Sequence, residues 1–198
     1  MIIGILSRKG GVGKTTLAVH LAGLLAQEDT TVLVDEDDTR NATTWAARGE
    51  LPFTVVGPAG MARAARAHEH IVVDSRGGMN SDDMQGLYEG ADRIVVPVSN
   101  EYMALDTLIQ TADILRQVDP ELEKLRVVMT MVKKGRKLND AREALGGLGL
   151  MPVQPTVRFS EAFRDASAGG VLVRDVTGNR LAKNCWGDVR EVLQAVRA

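Results

Sequence analysis

The chain has 198 residues, 44% of them apolar and 25% charged, a balance that excludes a disordered polymer and suits one globular domain with a full core. No apolar run is long enough to span a bilayer, and a single cysteine, Cys185, excludes an internal disulfide or a thiolate metal cluster and fits a cytoplasmic chain. The net charge of −2 is uneven, with −9 over residues 1–123 and +7 over residues 124–198, a pattern that fits either an anionic partner for the C-terminal part or scattered solvated charge.

In chain order, "MIIGIL" at the N-terminus is too short for a signal-peptide core and reads as a buried strand. "TVLVD", "FTVV", "HIVVD", "RIVVPV" and "LRVVMTMV" read as further buried strands, rich in Val and Ile. "VQPTV" is at best an edge strand, because Pro155 has no amide hydrogen to donate. Between the strands, "GKTTLAVHLAGLLAQ", "GMARAARAH", "SDDMQGLYEG", "EYMALDTLIQTADILRQV" and "LNDAREALGGL" carry helical patterns, and so does the stretch from about Asn179 to Val196. Strand–helix alternation predicts an α/β fold: a mostly parallel β-sheet flanked by helices on both faces. There is no internal repeat, low-complexity segment or linker, so residues 1–198 are expected to form one domain.

"LSRKGGVGKTTLA", Leu6 to Ala18, nearly fits the phosphate-loop pattern G-x-x-x-x-G-K-[ST]. Gly13, Lys14 and Thr15 fall where the pattern needs them. Arg8 stands where the first glycine should be, and a second lysine, Lys9, lies inside the loop. Gly10, Gly11 and Gly13, with Val12 between them, let backbone N–H groups converge on phosphate oxygens. The helix that starts near Lys14 adds its positive end. Lys14 is expected to reach the β- and γ-phosphates, Thr15 to ligate Mg²⁺ and Thr16 to donate to the α-phosphate. A dinucleotide-binding reading fails, since GVGKTT lacks the third glycine.

A nucleotide–Mg²⁺ site also needs a carboxylate at the end of another strand. "HIVVDSRGG" supplies Asp74, followed three residues later by Gly77, the arrangement of a Mg²⁺-side aspartate and a γ-phosphate-sensing turn. "TVLVDEDD" supplies Asp35, Glu36, Asp37 and Asp38. Asp35 and Asp37 share one side of an extended segment, which would send Glu36 and Asp38 toward solvent.

These stretches together resemble the ParA/MinD family of deviant Walker A ATPases. KGGVGKTT with lysine at position 9 is similar to the family's loop, "VLVDEDDTRNATTW" to its VLLVDxDPQxNAT stretch and "IVVDSRGG" to its DxxG switch. "VSNEYMALDTL", "DPELEKLRVVMTM" and "VRFSEA" extend the likeness over most of the chain. The closest resemblance is to small ParA-type proteins without an added helix-turn-helix domain. It implies that Lys9 reaches across a homodimer to the partner's ATP, that Asp37 positions the attacking water and that Asp35 supports the Mg²⁺ shell with Asp74. It also places base recognition near Met131, Val132 and the segment around Pro155. Two departures stand out: Asp38-Thr39 replaces the usual Pro-Gln, and Ser75-Arg76 replaces Thr-Pro or Thr-Ala in the switch.

Single Cys185 argues against the iron–sulfur relatives, which need paired cysteines, and the chain is too short for the duplicated arsenite-pump ATPases. The resemblance implies an ATP-sandwich dimer that binds DNA non-specifically, hydrolyses ATP slowly, is stimulated by a ParB-like centromere-binding protein and moves a plasmid or chromosome origin as a nucleoid-associated cytoplasmic protein. A MinD-like membrane-associated protein and a ParA-like protein that positions a non-DNA cargo are the alternatives. The apolar stripe Leu181, Cys185, Trp186, Val189, Val192, Leu193 and Val196 fits a helix packed on the sheet, whereas a MinD-type helix would lie on a membrane. Asp188 and Glu191 on its polar face oppose anionic lipid. Arg158 and Arg180, flanking the last helices, are the expected DNA contacts. "VKKGRK", Val132 to Lys137, fits a phosphate-contacting loop or a solvated turn. The histidines lack ligand spacing and read as structural, and Trp45 reads as a packing residue.

Overall fold

The computed structural model describes residues 1–99, 102–133 and 137–198. Strands β1 (Ile2–Ile5), β2 (Thr31–Asp35), β3 (Thr54–Val56), β4 (His70–Asp74), β5 (Arg93–Val98) and β6 (Leu125–Met129) form one sheet in the order β3-β2-β4-β1-β5-β6. Every ladder is parallel. The strands are unbroken apolar runs rather than alternating ones because both faces of the sheet are covered; all five residues of β2 are buried.

Helices α1 (Lys14–Leu25), α2 (Asn41–Ala46), α3 (Met61–Ala64), α4 (Ser81–Gly90), α5 (Tyr102–Leu115), α6 (Lys137–Gly147), α7 (Ala162–Gly169) and α8 (Ala182–Arg197) complete the fold. One face of the sheet buries Leu17, Leu21, Trp45, Phe163 and Val192 from α1, α2, α7 and α8. The other buries Met84, Tyr88, Leu108 and Leu145 from α4, α5 and α6. Parallel pairing brings all strand C-termini to one edge, where open α/β sheets place their ligand crevice. The register sets Asp74 beside both Ile5 of β1 and Asp35 of β2.

The strand and helix pattern of the sequence agrees with this architecture, with four local differences, one of them helix α7, which was not expected. "VQPTV" forms no strand. Val153 N–H donates to Val127 O at 2.9 Å and Val157 N–H to Met129 O at 2.9 Å, with Pro155 midway and unable to donate. The segment therefore runs beside β6 without a ladder, making one isolated bridge between Val132 and Arg158. The helix expected over "GMARAARAH" stops at Ala64, the buried residue of that helix. Helix α2 was not expected, since the paired threonines of "NATTWA" are poor helix formers; a tertiary contact described below holds it.

Helix α8 buries Cys185, Val189, Val192, Leu193 and Val196 against the sheet side that carries α1. Five of the seven stripe residues are core, as the packed reading expects, while Trp186 is half-buried and Leu181, just before the helix, is exposed. Among the described residues no helix is long and apolar enough to cross a membrane.

Candidate functional site

The loop between β1 and α1 is shaped by its glycines. Gly11 and Gly13 have φ of 76° and 88°, left-handed values that side chains other than glycine resist. Gly13 caps α1, and no side chain bonds to the helix start, which leaves the positive helix end facing outward. The loop is tied to the far strand by the Thr130 hydroxyl, which donates to Val12 O at 2.8 Å.

Above this loop lies a cavity of about 740 Å³. Gly10, Gly11, Gly13, Lys14, Thr15 and Thr16 line one side, with Asp37, Asp38 and Gly77 beside them. Lys14 is buried, and its Nζ lies 4.0 Å from Asp37 Oδ2. The Thr15 hydroxyl donates to Asp74 Oδ2 at 2.6 Å. Asp74 is fully buried, its Oδ1 has no hydrogen-bond partner, and neither has the neighbouring Ser75 Oγ. Burial pushes the Asp74 carboxyl up to about 7, against the Thr15 hydrogen bond and the Lys14 charge; Asp35 and Asp37 push the same way as burial.

Asp37 responds differently. Burial raises it, but the amide and hydroxyl of Thr39, at 3.0 and 2.8 Å, together with Lys14, hold its carboxyl below the usual range. Asp35 is turned away from the cavity. Its Oδ2 accepts from the Thr43 amide at 2.8 Å and the Thr43 hydroxyl at 2.6 Å, and its Oδ1 from the Asp37 amide at 3.3 Å. Asp35 thus anchors the first turn of α2. Glu36 is half-buried, and burial raises its carboxyl; only Asp38 of the expected pair is exposed, and it lines the cavity.

The orphaned Asp74 oxygen and the hydroxyl beside it fit a cation that takes its remaining ligands from phosphate and water, as Mg²⁺ does. No cluster of three or more ligating side chains exists among the described residues, so a metal held by protein alone is not supported there. The glycine cradle, the uncapped helix end and Lys14 fit phosphate.

The remaining candidates are spread more widely. Met131, at a φ of 54°, lines the cavity, whereas Pro155 does not; Val157, Arg158, Phe159 and Ser160 form that wall instead. Lys9 stands on another lip of the loop, where Ser7 Oγ accepts from its amide at 3.3 Å, and lines a separate small recess. Arg158 makes a bidentate pair with Asp188 of α8, and Arg180 is exposed. In the "VKKGRK" loop, 134–136 lie outside the described residues, as do 100–101 of "VSNEYMALDTL".

Sequence reasoning missed the wall opposite the loop. Trp45 and Arg48 on one side and Phe163, Arg164 and Ser167 on the other line the cavity. Trp45 is indeed a packing residue, 3% exposed, with its indole N–H donating to Val171 O at 3.0 Å. His20 is its neighbour. The His20 ring is fully buried, with Nδ1 2.6 Å from Thr16 O and Nε2 accepting from the Val173 amide at 3.0 Å. It meets Trp45 and Phe163 edge-on at 5.6 and 5.2 Å. Its only sequence signal is its place on the buried face of α1.

A model of the CobQ/CobB/MinD/ParA nucleotide binding domain matches residues 3–173. The maintenance of carboxysome distribution protein A of Gloeobacter kilaueensis is 30% identical, over 98% of this chain and 92% of its own length. Protein ParA of Rhizobium radiobacter is 28% identical, over 66% of this chain and 64% of its own length. Among solved structures, the ATP complex of a Cyanothece McdA variant superposes with a TM-score of 0.78 at 15% identity, covering 99% of this chain and 96% of that one. The chain therefore belongs to the CobQ/CobB/MinD/ParA family of nucleotide-binding domains.

Proposed function

We propose that this chain is a Mg²⁺-dependent ATPase of the ParA type, with all 198 residues forming one ATPase domain. It binds ATP over the β1–α1 loop, pairs with a second copy around the bound nucleotides and uses the cycle to position a cargo on duplex DNA. The observation that carries the reading is the convergence at the ends of β1, β4 and β2, where the glycine loop, Lys14 against Asp37 and the Thr15 hydroxyl on Asp74 meet. Amides of Gly10 to Gly13 and the Lys14 ammonium hold the β- and γ-phosphates, and Thr16 serves the α-phosphate. Thr15, backed by Asp74, holds the cation, which when bound supplies charge neutralisation on the phosphate oxygens. Asp37, ionised at neutral pH, accepts a hydrogen bond from water and orients it toward phosphorus. Lys9, on the outer lip, serves the nucleotide of the partner copy, where its charge offsets two sets of phosphates. Met131 and the wall after Val157 hold the base.

For the cargo, the resemblance supports a plasmid or chromosome origin delivered by a ParB-like protein. A protein assembly is the second reading, favoured by the full-length similarity to a protein named for carboxysome distribution. The buried apolar face of α8 weighs against a membrane-lying helix. DNA contacts fall to the exposed Arg180 with Lys183 and Arg190 rather than to Arg158.

Calorimetric titration with Mg-ATP tests the site. The parent is expected to bind and Lys14→Ala to lose binding with its circular dichroism unchanged. Equal affinity in the two chains overturns the assignment.

A further inference from the structure

Three hydrogen bonds join the cavity wall to the C-terminal helix. The Arg158 amide donates to Asp188 Oδ2 at 3.1 Å, Nε to the same oxygen at 2.6 Å and Nη2 to Oδ1 at 2.7 Å. Asp188 is only 13% exposed, so the pair is shielded more than a surface bridge is. The next residue, Val189, lines the cavity itself. On the other side the segment is tied to the end of β6 by backbone, with Val157 N–H donating to Met129 O at 2.9 Å, Val132 N–H to Val157 O at 3.0 Å and Phe159 N–H to Val132 O at 2.9 Å, while Val157 is buried in the core and the Lys133 ammonium lies 4.9 Å from the Phe159 ring centre. Pro155 breaks any longer ladder with β6. Residues 157–160 are thus braced between the end of β6 and α8, and the α8 side of that brace, the Asp188–Arg158 pair, lies on a helix beyond the stretch matched by the family, which ends at residue 173.

We propose that Asp188 is a positioning residue of the nucleotide cavity: acting through Arg158, it holds the wall formed by residues 157–160 opposite the phosphate loop. This rests on the nucleotide reading of the cavity. The wall sets how well ATP is bound, whereas Asp37 and the loop set how fast it is turned over, so removing Asp188 acts on affinity and not on the chemical step. The role also reassigns Arg158. Its guanidinium is engaged by a carboxylate, which makes it a strut rather than a phosphate contact.

The test measures Mg-ATP affinity, turnover and retention on unrelated duplex DNA for the parent, Asp188→Ala, Asp188→Asn, Arg158→Ala and the double Asp188→Ala/Arg158→Ala chain. Glu191→Gln, exposed on the same helix, is the control. Asp188→Ala and Arg158→Ala should each weaken ATP binding on the order of tenfold, as loss of an outer orienting partner does. The double variant should be no weaker than the singles, turnover at saturating ATP should hold within about twofold, and the control should match the parent. Asp188→Asn keeps an oxygen for the Arg158 amide and carries the test if the alanine variant fails to fold. Unchanged or tighter ATP binding in the Asp188 variants overturns the proposal. So does an Arg158→Ala chain that loses DNA retention at unchanged ATP affinity. A parent that takes no ATP overturns the site reading itself, whereas a parent that binds ATP beside Asp188 variants of equal affinity overturns this inference alone.

Discussion

Asp37 faces Lys14 across 4.0 Å, while Asp35, two residues earlier, is buried against Thr43. The spacing that put both on one side in the sequence does not survive the turn into α2, and only Asp37 stays at the cavity. Asp37→Ala should therefore leave ATP binding in place and slow turnover roughly a hundredfold or more, the range of a lost water-orienting group; phosphate release at saturating Mg-ATP measures it, and a parental rate removes Asp37 from the role. His20 gives a second prediction at this scale. Burial outweighs its bond to Thr16 O and the Asp175 charge and lowers its pKa from 6.5 to about 4. Between those values the unfolded chain takes up a proton that the fold refuses. The stability from the neutral ring is complete above pH 6.5 and is lost as pH falls through 4, a swing of roughly 3 kcal/mol. Denaturant unfolding should show the parent's advantage over His20→Gln shrinking from pH 7 to pH 4.5. A constant gap contradicts the buried neutral ring.

Helix α2 shows where the sequence was legible and where it was not. The strands and the long helices follow from apolar runs and 3.6-residue periodicity, and the phosphate loop from glycine spacing, because these signals are local. Helix α2 has no such signal. It is held by Asp35 at one end and by backbone contact with the end of α7 at the other, both tertiary. The cavity wall was invisible for the same reason: Trp45, Arg48 and Phe163 are brought together by packing, and Pro155 marked the right segment while the lining falls two to five residues later. The contact between α2 and α7 is tight. Gly170 has a φ of 65°, and a Cβ there would overlap the Gly49 amide, while a Cβ on Gly49 would lie 2.7 Å from Gly169 O. Gly170→Ala should cost about 2 kcal/mol or more, combining left-handed strain with a backbone clash, and should weaken ATP binding as the wall shifts. Thermal unfolding with and without Mg-ATP reads both effects, and a parental melting temperature contradicts the close approach.

At the scale of the whole molecule, four arginines of the +7 C-terminal part are engaged, though only Arg197 pairs with an acid from outside that part. Arg158, Arg164, Arg174 and Arg197 pair with Asp188, Glu161, Asp175 and Glu28. Arg180, Lys183 and Arg190 are exposed, and Lys183 and Arg190 stand two turns apart on the outer face of α8. On the proposed reading, so few cations per chain would bind a duplex weakly, and joining two copies would raise affinity steeply because each phosphate contact releases counterions. In the proposed dimer the pairing depends on Lys9, which is not among the residues that line the cavity of its own chain. Sedimentation velocity with Mg²⁺ and a non-hydrolysable ATP analogue tests this directly. The parent should shift from monomer to dimer on adding the analogue, and Lys9→Ala should bind it and stay monomeric. A parent that binds the analogue without changing its sedimentation, or a Lys9→Ala chain that dimerises like the parent, would contradict the account.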